Sequence, residues 1–216
     1  QAQQLGTGHA AQIGIQALQA IGFAGPILVT LGDKLIEPDV ISHLGERFLR
    51  QRADMIFISG PKKQNPSAGR IVVDKAGKIL GNVEERDIQL ARVYGAVEKR
   101  IKTGRNGPIS FDQVIQLGKK FIANEAKLIK ALGPFGRQLQ AARALPAPDL
   151  TKCLPPGAGV IRLGRHVFTP DELERASKTA NLSVFLAKSE FWYEVLPTLR
   201  NDNAQGEYYL PDVITL

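Results

Sequence analysis

One cysteine, one methionine and one tryptophan occur in 216 residues, and aromatic side chains make up only 6%. With Cys153 alone, no disulfide can form inside the chain, and a reducing cytoplasmic setting is the expectation. No apolar run approaches the roughly 18 residues that a membrane-spanning helix needs. No basic-then-apolar leader opens the chain, which starts at Gln1 and holds its one methionine at Met55. A processed or cut N-terminus is therefore expected. Also missing are a Ser/His/Asp set, a Cys/His pair and any zinc-type spacing of Cys and His, which removes nucleophilic and zinc hydrolases from consideration.

What is present is aliphatic. Ile, Leu, Val and Ala carry most of the 44% apolar content, enough for a sizeable core. The net charge of +7 is local: residues 88–150 hold 11 Lys and Arg against 4 Asp and Glu. From totals of 28 and 21, that leaves 17 of each sign elsewhere, so the body of the chain is neutral. Eleven cations on amphipathic helices would suit an acidic protein, RNA or another subunit, but aromatic interleaving is thin and a solvated face is the expectation over nucleic-acid binding.

Along the chain, residues 9–20 read as a short helix with Ile13, Ala17 and Ala20 on one face. "PILVTLGD" (26–33) and "DMIFIS" (54–59) are short apolar runs, predicted as strands buried on both faces of a largely parallel sheet, with a polar helix over 38–51 between them. "GRIVVDKAGKILGNVEE" predicts a hairpin turning at Lys75, Ala76 and Gly77. From Ile88 the period becomes helical. Ser110 and Gln113 form a capping-box pattern before an apolar stripe running to Leu132, where Gly133-Pro134 ends the helix. "PAPDLTKCLPPGAG" (146–159) reads as a linker. A strand at 158–163, a helix capped by Thr169, Pro170 and Glu172, and an amphipathic helix over "LSVFLAKSEFWYEVLPTL" complete the prediction.

Chemistry-bearing residues are sparse. Asp33 ends a buried strand, where open α/β sheets bind ligands and where a carboxylate suits a hard cation such as Mg²⁺. An Asp after Gly is equally a turn residue. In "LGTGHA" (5–10), Gly6 and Gly8 permit close backbone approach and Thr7 offers a hydroxyl, although a lone Gly-x-Gly is usually a turn. His9 has no second His near it in sequence, which favours a structural role. The closing "NDNAQGEYYLPDVITL" places amides and a glycine before what reads as a helix start.

These segments, "QAQQLGTGHA", the strand ending in Gly-Asp, "GRIVVDKAGKILGNVEERD" and "NDNAQGEYYLPDV", occur in one order. The series resembles the uridylyltransferase half of the bifunctional N-acetylglucosamine-1-phosphate uridylyltransferase/glucosamine-1-phosphate acetyltransferase family. The closing motif is the most specific. The resemblance covers residues 1–87 and 157–216 and leaves 88–156 as a basic helical insertion and linker. It implies a three-layer, Rossmann-like α/β nucleotidyltransferase fold with a mainly parallel sheet. The family's first strand and Gly-rich phosphate loop have no counterpart here, so the chain is expected to be part of a longer protein and to turn over nothing by itself.

The resemblance further implies Mg²⁺ shared by Asp33 and Asn203, with UTP and a sugar-1-phosphate as substrates. It implies a uracil contact from Gln1, Gly6 and Thr7 at the base and ribose, Leu31 and Gly32 beside the nucleotide, and Gly69 and Glu84 beside the amino sugar. Leu31 stands where the family has tyrosine, and Lys34 where it has a small or apolar residue. A sugar-side asparagine expected on the strand near 157–160 falls on Gly157. Two other readings stay open: a non-catalytic binding or scaffold module, and an interaction protein acting through the insertion, whose roles include lid, oligomer contact (a homo-oligomer) or ornament.

Overall fold

A computed structural model describes residues 3–103 and 107–215. In chain order the elements are α1 (Thr7–Ala20), β1 (Pro26–Thr30), α2 (Pro38–Gln51), β2 (Met55–Pro61), β3 (Arg70–Val73), β4 (Ile79–Val83) and α3 (Glu85–Lys102). Then come β5 (Ile109–Ser110), α4 (Phe111–Gly118), α5 (Glu125–Ala142), β6 (Ala144–Leu145), α6 (Ala147–Cys153), β7 (Ile161–Leu163) and β8 (His166–Phe168). α7 (Pro170–Ala176), β9 (Ser177–Lys188) and α8 (Ser189–Val195) follow, and a 3₁₀ turn over Leu210–Ile214 lies near the end. The chain divides into two compact units. The first holds Gln1–Val83, Ser177–Asp202 and Gly206–Leu216, and the second holds Glu84–Ala176 and Asn203–Gln205. No helix among the described residues is long and apolar enough to cross a membrane.

The first unit is organised by β9. β1 pairs with it through Ile27–Ala187 and β2 through Met55–Ala187, so these two strands flank it on opposite sides. Further along, Arg70 of β3 pairs with Ala180, and β4 closes the edge as the partner of β3. Every pairing among the described strands is antiparallel, which corrects the expectation of a mainly parallel sheet. β1 and β2 do run in one direction, but β9 lies between them with the opposite sense. On β2 the run meets packing on both faces, Met55 and Phe57 on one and Ile56 and Ile58 on the other, whereas on β1 Ile27 and Val29 pack inward and Leu28 is 39% exposed.

β9 itself was read as the start of an amphipathic helix. "LSVFLA" is a six-residue apolar run whose neighbours along a strand face opposite sides: Val184 and Leu186 meet Leu44 and Phe48 of α2. Phe185 and Ala187 meet Ile15 of α1 and Trp192 of α8. One helix thus covers one face and two cover the other. On α1 the buried positions are Gly8 and Ile15, with Ala11 and Leu18 packed beside them, whereas Ile13 is 43% exposed, so the predicted apolar face was the wrong one.

Trp192 is fully buried, and its indole N–H donates to the Ile27 carbonyl oxygen at 3.1 Å. Trp192→Phe keeps a ring but removes that donor, so a loss of about 1–3 kcal/mol is expected in urea denaturation. A change within error would mean that the carbonyl is satisfied otherwise.

The second unit has a core of its own, built from Val93, Tyr94 and Val97 of α3, Val114 and Ile115 of α4, and Leu128, Leu132, Phe135 and Leu139 of α5. The Ser110–Gln113 capping box forms in both directions, at 3.2 and 3.0 Å. The single helix predicted over 111–132 is instead two, because Asn124 caps a new start by accepting from the Lys127 N–H at 3.0 Å. α5 then continues past Gly133 across a kink. The strand predicted at 158–163 shortens to β7, which pairs with β8 in a separate two-stranded hairpin rather than joining the main sheet.

Candidate functional site

The opening and closing motifs meet in the first unit. The Tyr208 N–H donates to the Leu5 carbonyl at 2.8 Å, and the Gly8 N–H donates to the Tyr208 carbonyl at 2.7 Å. The Leu210 N–H donates to the Thr7 hydroxyl oxygen at 3.1 Å. A Cβ on Gly6 would lie 2.6 Å from the Tyr208 oxygen, and one on Gly8 would lie 2.9 Å from it. The glycines of this loop are thus required by the protein's own closing segment. Such a reason was not visible in a Gly-x-Gly pattern by itself. The ring of half-buried His9 packs 6.4 Å from that of Tyr208, in keeping with a structural part for this histidine.

Asp33 lies in the turn that follows β1, where the Lys34 N–H donates to the Leu31 carbonyl at 3.3 Å. Gly32, Asp33 and Lys34 are exposed and Leu31 is half-buried. A water-facing carboxylate at a strand's carboxyl end is the donor type that Mg²⁺ takes when it keeps most of its hydration shell.

Gly69 is buried and its carbonyl accepts from the Asn181 N–H at 2.9 Å. Arg70, also buried, anchors the preceding loop by donating to the Ala68 and Pro66 carbonyls at 2.5 and 3.1 Å. The strand beside Gly69 is therefore β9, and it carries an asparagine: Asn181 is 2% exposed. Its Oδ1 accepts from the Ser183 N–H at 3.0 Å, and Ser183 has a positive φ of 59° where the pairing with β2 slips. Such a bulge re-aims the side chains around it. Gly157, to which the missing asparagine was assigned, sits in an exposed turn of the second unit and not on a strand.

Glu84 and Asn203 belong to the second unit. Glu84 is the half-buried residue that precedes α3, and its carbonyl accepts from the Asp87 and Ile88 N–H groups at 3.0 and 3.2 Å. The Asn203 Oδ1 accepts from the Gln205 N–H at 3.2 Å. The loop is held by α3: the Asp87 Oδ1 accepts from the Ala204 N–H at 2.7 Å, and the Arg86 guanidinium donates to the Gln205 Oε1. Among the described residues no cluster of three His, Cys, Asp or Glu side chains forms. Gln1 lies outside the described residues. Gly6, Thr7, Leu31, Gly32, Asp33 and Gly69 are all in the first unit.

Asp87 was not singled out by the sequence, since "EERD" reads as charged surface. Burial pushes its carboxyl up from 3.8 to about 6, the Ala204 N–H opposes this, the Glu84 charge adds to the rise, and the Arg86 charge lowers it. The folded carboxyl thus holds its proton more tightly than the unfolded one. Its stabilising contribution is complete below about pH 4 and is lost as pH rises through about 6. Over that window stability is expected to fall by up to about 3 kcal/mol. Asp87→Asn keeps an acceptor for the Ala204 N–H and removes the titration. Urea midpoints from pH 4 to 8 should show the variant gaining on the parent as pH rises, and parallel profiles would contradict the assignment.

No family model matches the chain. It is similar to the bifunctional protein GlmU of Synechococcus sp. (strain JA-3-3Ab), at 33% identity over 153 residues, which is 69% of this chain and 23% of that protein. It is also similar to the protein of the same name from Pelobacter propionicus, at 36% over 130 residues, or 58% of this chain and 27% of that one. That from Dechloromonas aromatica is 42% identical over 88 residues, 40% and 18% of the two lengths. The chain therefore spans about a quarter or less of the length of these relatives. The ordered motifs and these identities agree in making the chain similar to a segment of GlmU proteins.

Proposed function

We propose that the chain is the body of a sugar-1-phosphate uridylyltransferase that moves UMP from UTP to N-acetylglucosamine-1-phosphate or a related sugar phosphate. The observation that carries this reading is the interlocking of "LGTGHA" with "QGEYYL" through three hydrogen bonds, because it makes one built element out of two motifs distant in sequence. The similarity to GlmU proteins supports the same class of chemistry.

In the proposed reaction a phosphate oxygen of the sugar-1-phosphate attacks the α-phosphorus of UTP. The bond between that phosphorus and its bridging oxygen breaks, and pyrophosphate leaves. The work is placement and charge neutralisation, with no protein nucleophile. Asp33 and Asn203 would hold Mg²⁺, which when bound offsets charge on the phosphate oxygens. Gln1, Gly6 and Thr7 would line the base and ribose, with Leu31 and Gly32 beside the nucleotide. Gly69 and Glu84 would take the sugar. Asn181, on the strand that touches Gly69, would supply a polar contact to the sugar.

The test is pyrophosphate release by the full-length protein, with Mg²⁺, N-acetylglucosamine-1-phosphate and each of the four nucleoside triphosphates. Release from UTP and from no other nucleotide is the expected result. A folded protein that releases none from any of them would leave the scaffold reading, for which the leucine at position 31 is the observation.

A further inference from the structure

The second unit carries a groove of about 660 Å³, within the roughly 300–1,000 Å³ of small-molecule sites. We propose that it binds a phosphorylated small molecule. Three separate stretches of chain form its walls. α3 contributes Arg92, Lys99 and Arg100, the connection between α4 and α5 contributes Lys120 and Phe121, and the third wall runs through Gly159 and Thr169 to Asp171. On α3 the lining recurs at residues 91, 92, 95, 96, 99 and 100, the spacing of a single helical face.

Four cations and one carboxylate face the cavity. The carboxylate, Asp171, is already paired with Arg92 at 3.4 Å. Among the described residues, neither Lys99 nor Lys120 has an acidic partner within ion-pair distance. Gathering like charges from different elements around a cleft is unfavourable by itself, and the positive field it concentrates is matched by an anion. The floor is built for depth. Gly159 has φ 84°, and a Cβ there would lie 3.2 Å from the Gly95 Cα, so the loop backbone rests against the small residues of the helix. Phe121, Leu117 and Ala91 give an apolar wall beside the cations, suited to a body attached to the phosphate.

Concavity separates this reading from a nucleic-acid face. A strand of RNA needs an extended basic track with several stacking rings, and a single ring, Phe121, lines this site. The inference does not depend on the uridylyltransferase reading.

The experiment is calorimetric titration of the full chain with inorganic pyrophosphate in magnesium-free buffer, for the parent, for Lys99→Gln/Lys120→Gln and for Asp33→Ala. Both lysines are exposed, so an unchanged melting temperature is expected for the double variant and confirms its fold. Saturable one-to-one binding, weakened about tenfold or more in the double lysine variant and unchanged in Asp33→Ala, is the expected result. Absence of binding, equal binding by the double variant, or loss in Asp33→Ala alone would overturn it. So would a single-stranded RNA oligomer that binds in a lysine-dependent way when pyrophosphate does not.

Discussion

Asp33→Ala is expected to lower pyrophosphate release by the complete enzyme about a thousandfold or more, while leaving the fold intact. The two halves of that statement have different sources. The side chain is exposed on a turn after β1, so its removal should change stability by about 0.5 kcal/mol or less. Its proposed role is to hold the divalent cation, whose charge stabilisation amounts to several kcal/mol, and each 1.36 kcal/mol is tenfold in rate. Asp33→Asn keeps an oxygen donor without the charge and should fall between the two. Single-turnover release from UTP and N-acetylglucosamine-1-phosphate measures the effect, and unchanged unfolding by urea excludes a structural cause. Near-normal release by Asp33→Ala would remove the metal role from this residue.

Gly6→Ala should cost about 3 kcal/mol or more, a large effect for one methyl group. Gly6 has φ 104° and ψ 174°, a region that glycine alone enters readily, and forcing another residue there costs on the order of 1–3 kcal/mol. The new Cβ would also meet the Tyr208 oxygen at 2.6 Å. That atom is backbone and is already committed to the Gly8 N–H, so relief requires moving the closing segment and weakening the hydrogen bonds that tie it to Leu5, Thr7 and Gly8. Gly14, on the same helix with nothing within 4 Å of its added Cβ, is the control: alanine there should stabilise by up to about 1 kcal/mol. Urea midpoints for the two variants should therefore move in opposite directions. A Gly6→Ala loss below about 1 kcal/mol would mean that the two motifs are not interlocked.

The local elements were legible where one or two side chains decide them. The Ser110–Gln113 box, the Thr169–Glu172 cap and the hairpin held by Asp74 all form from neighbours in sequence. The failures occurred where distant packing decides. "LSVFLA" has no periodicity that separates a buried strand from a buried helix, and it became the central strand because α2 covers one of its faces and α1 and α8 the other. That single misreading also hid Asn181, which lies buried on β9 beside Gly69. Asp87 was passed over for a related reason: a carboxylate in a charged run looks solvated until a loop folds over it.

By itself the amino-acid order determined the caps, the turns, the separation of a neutral body from a basic helical stretch, and the kinship carried by its motifs, because each depends on residues close together or on a pattern of residue types. Strand direction, the partner of the glycine loop, the partial burial of Asp87 and the convergence of Lys99 and Lys120 on one groove were decided only in three dimensions. Each depends on which surfaces exclude water together, and contacts between segments far apart in the chain leave no mark in local sequence.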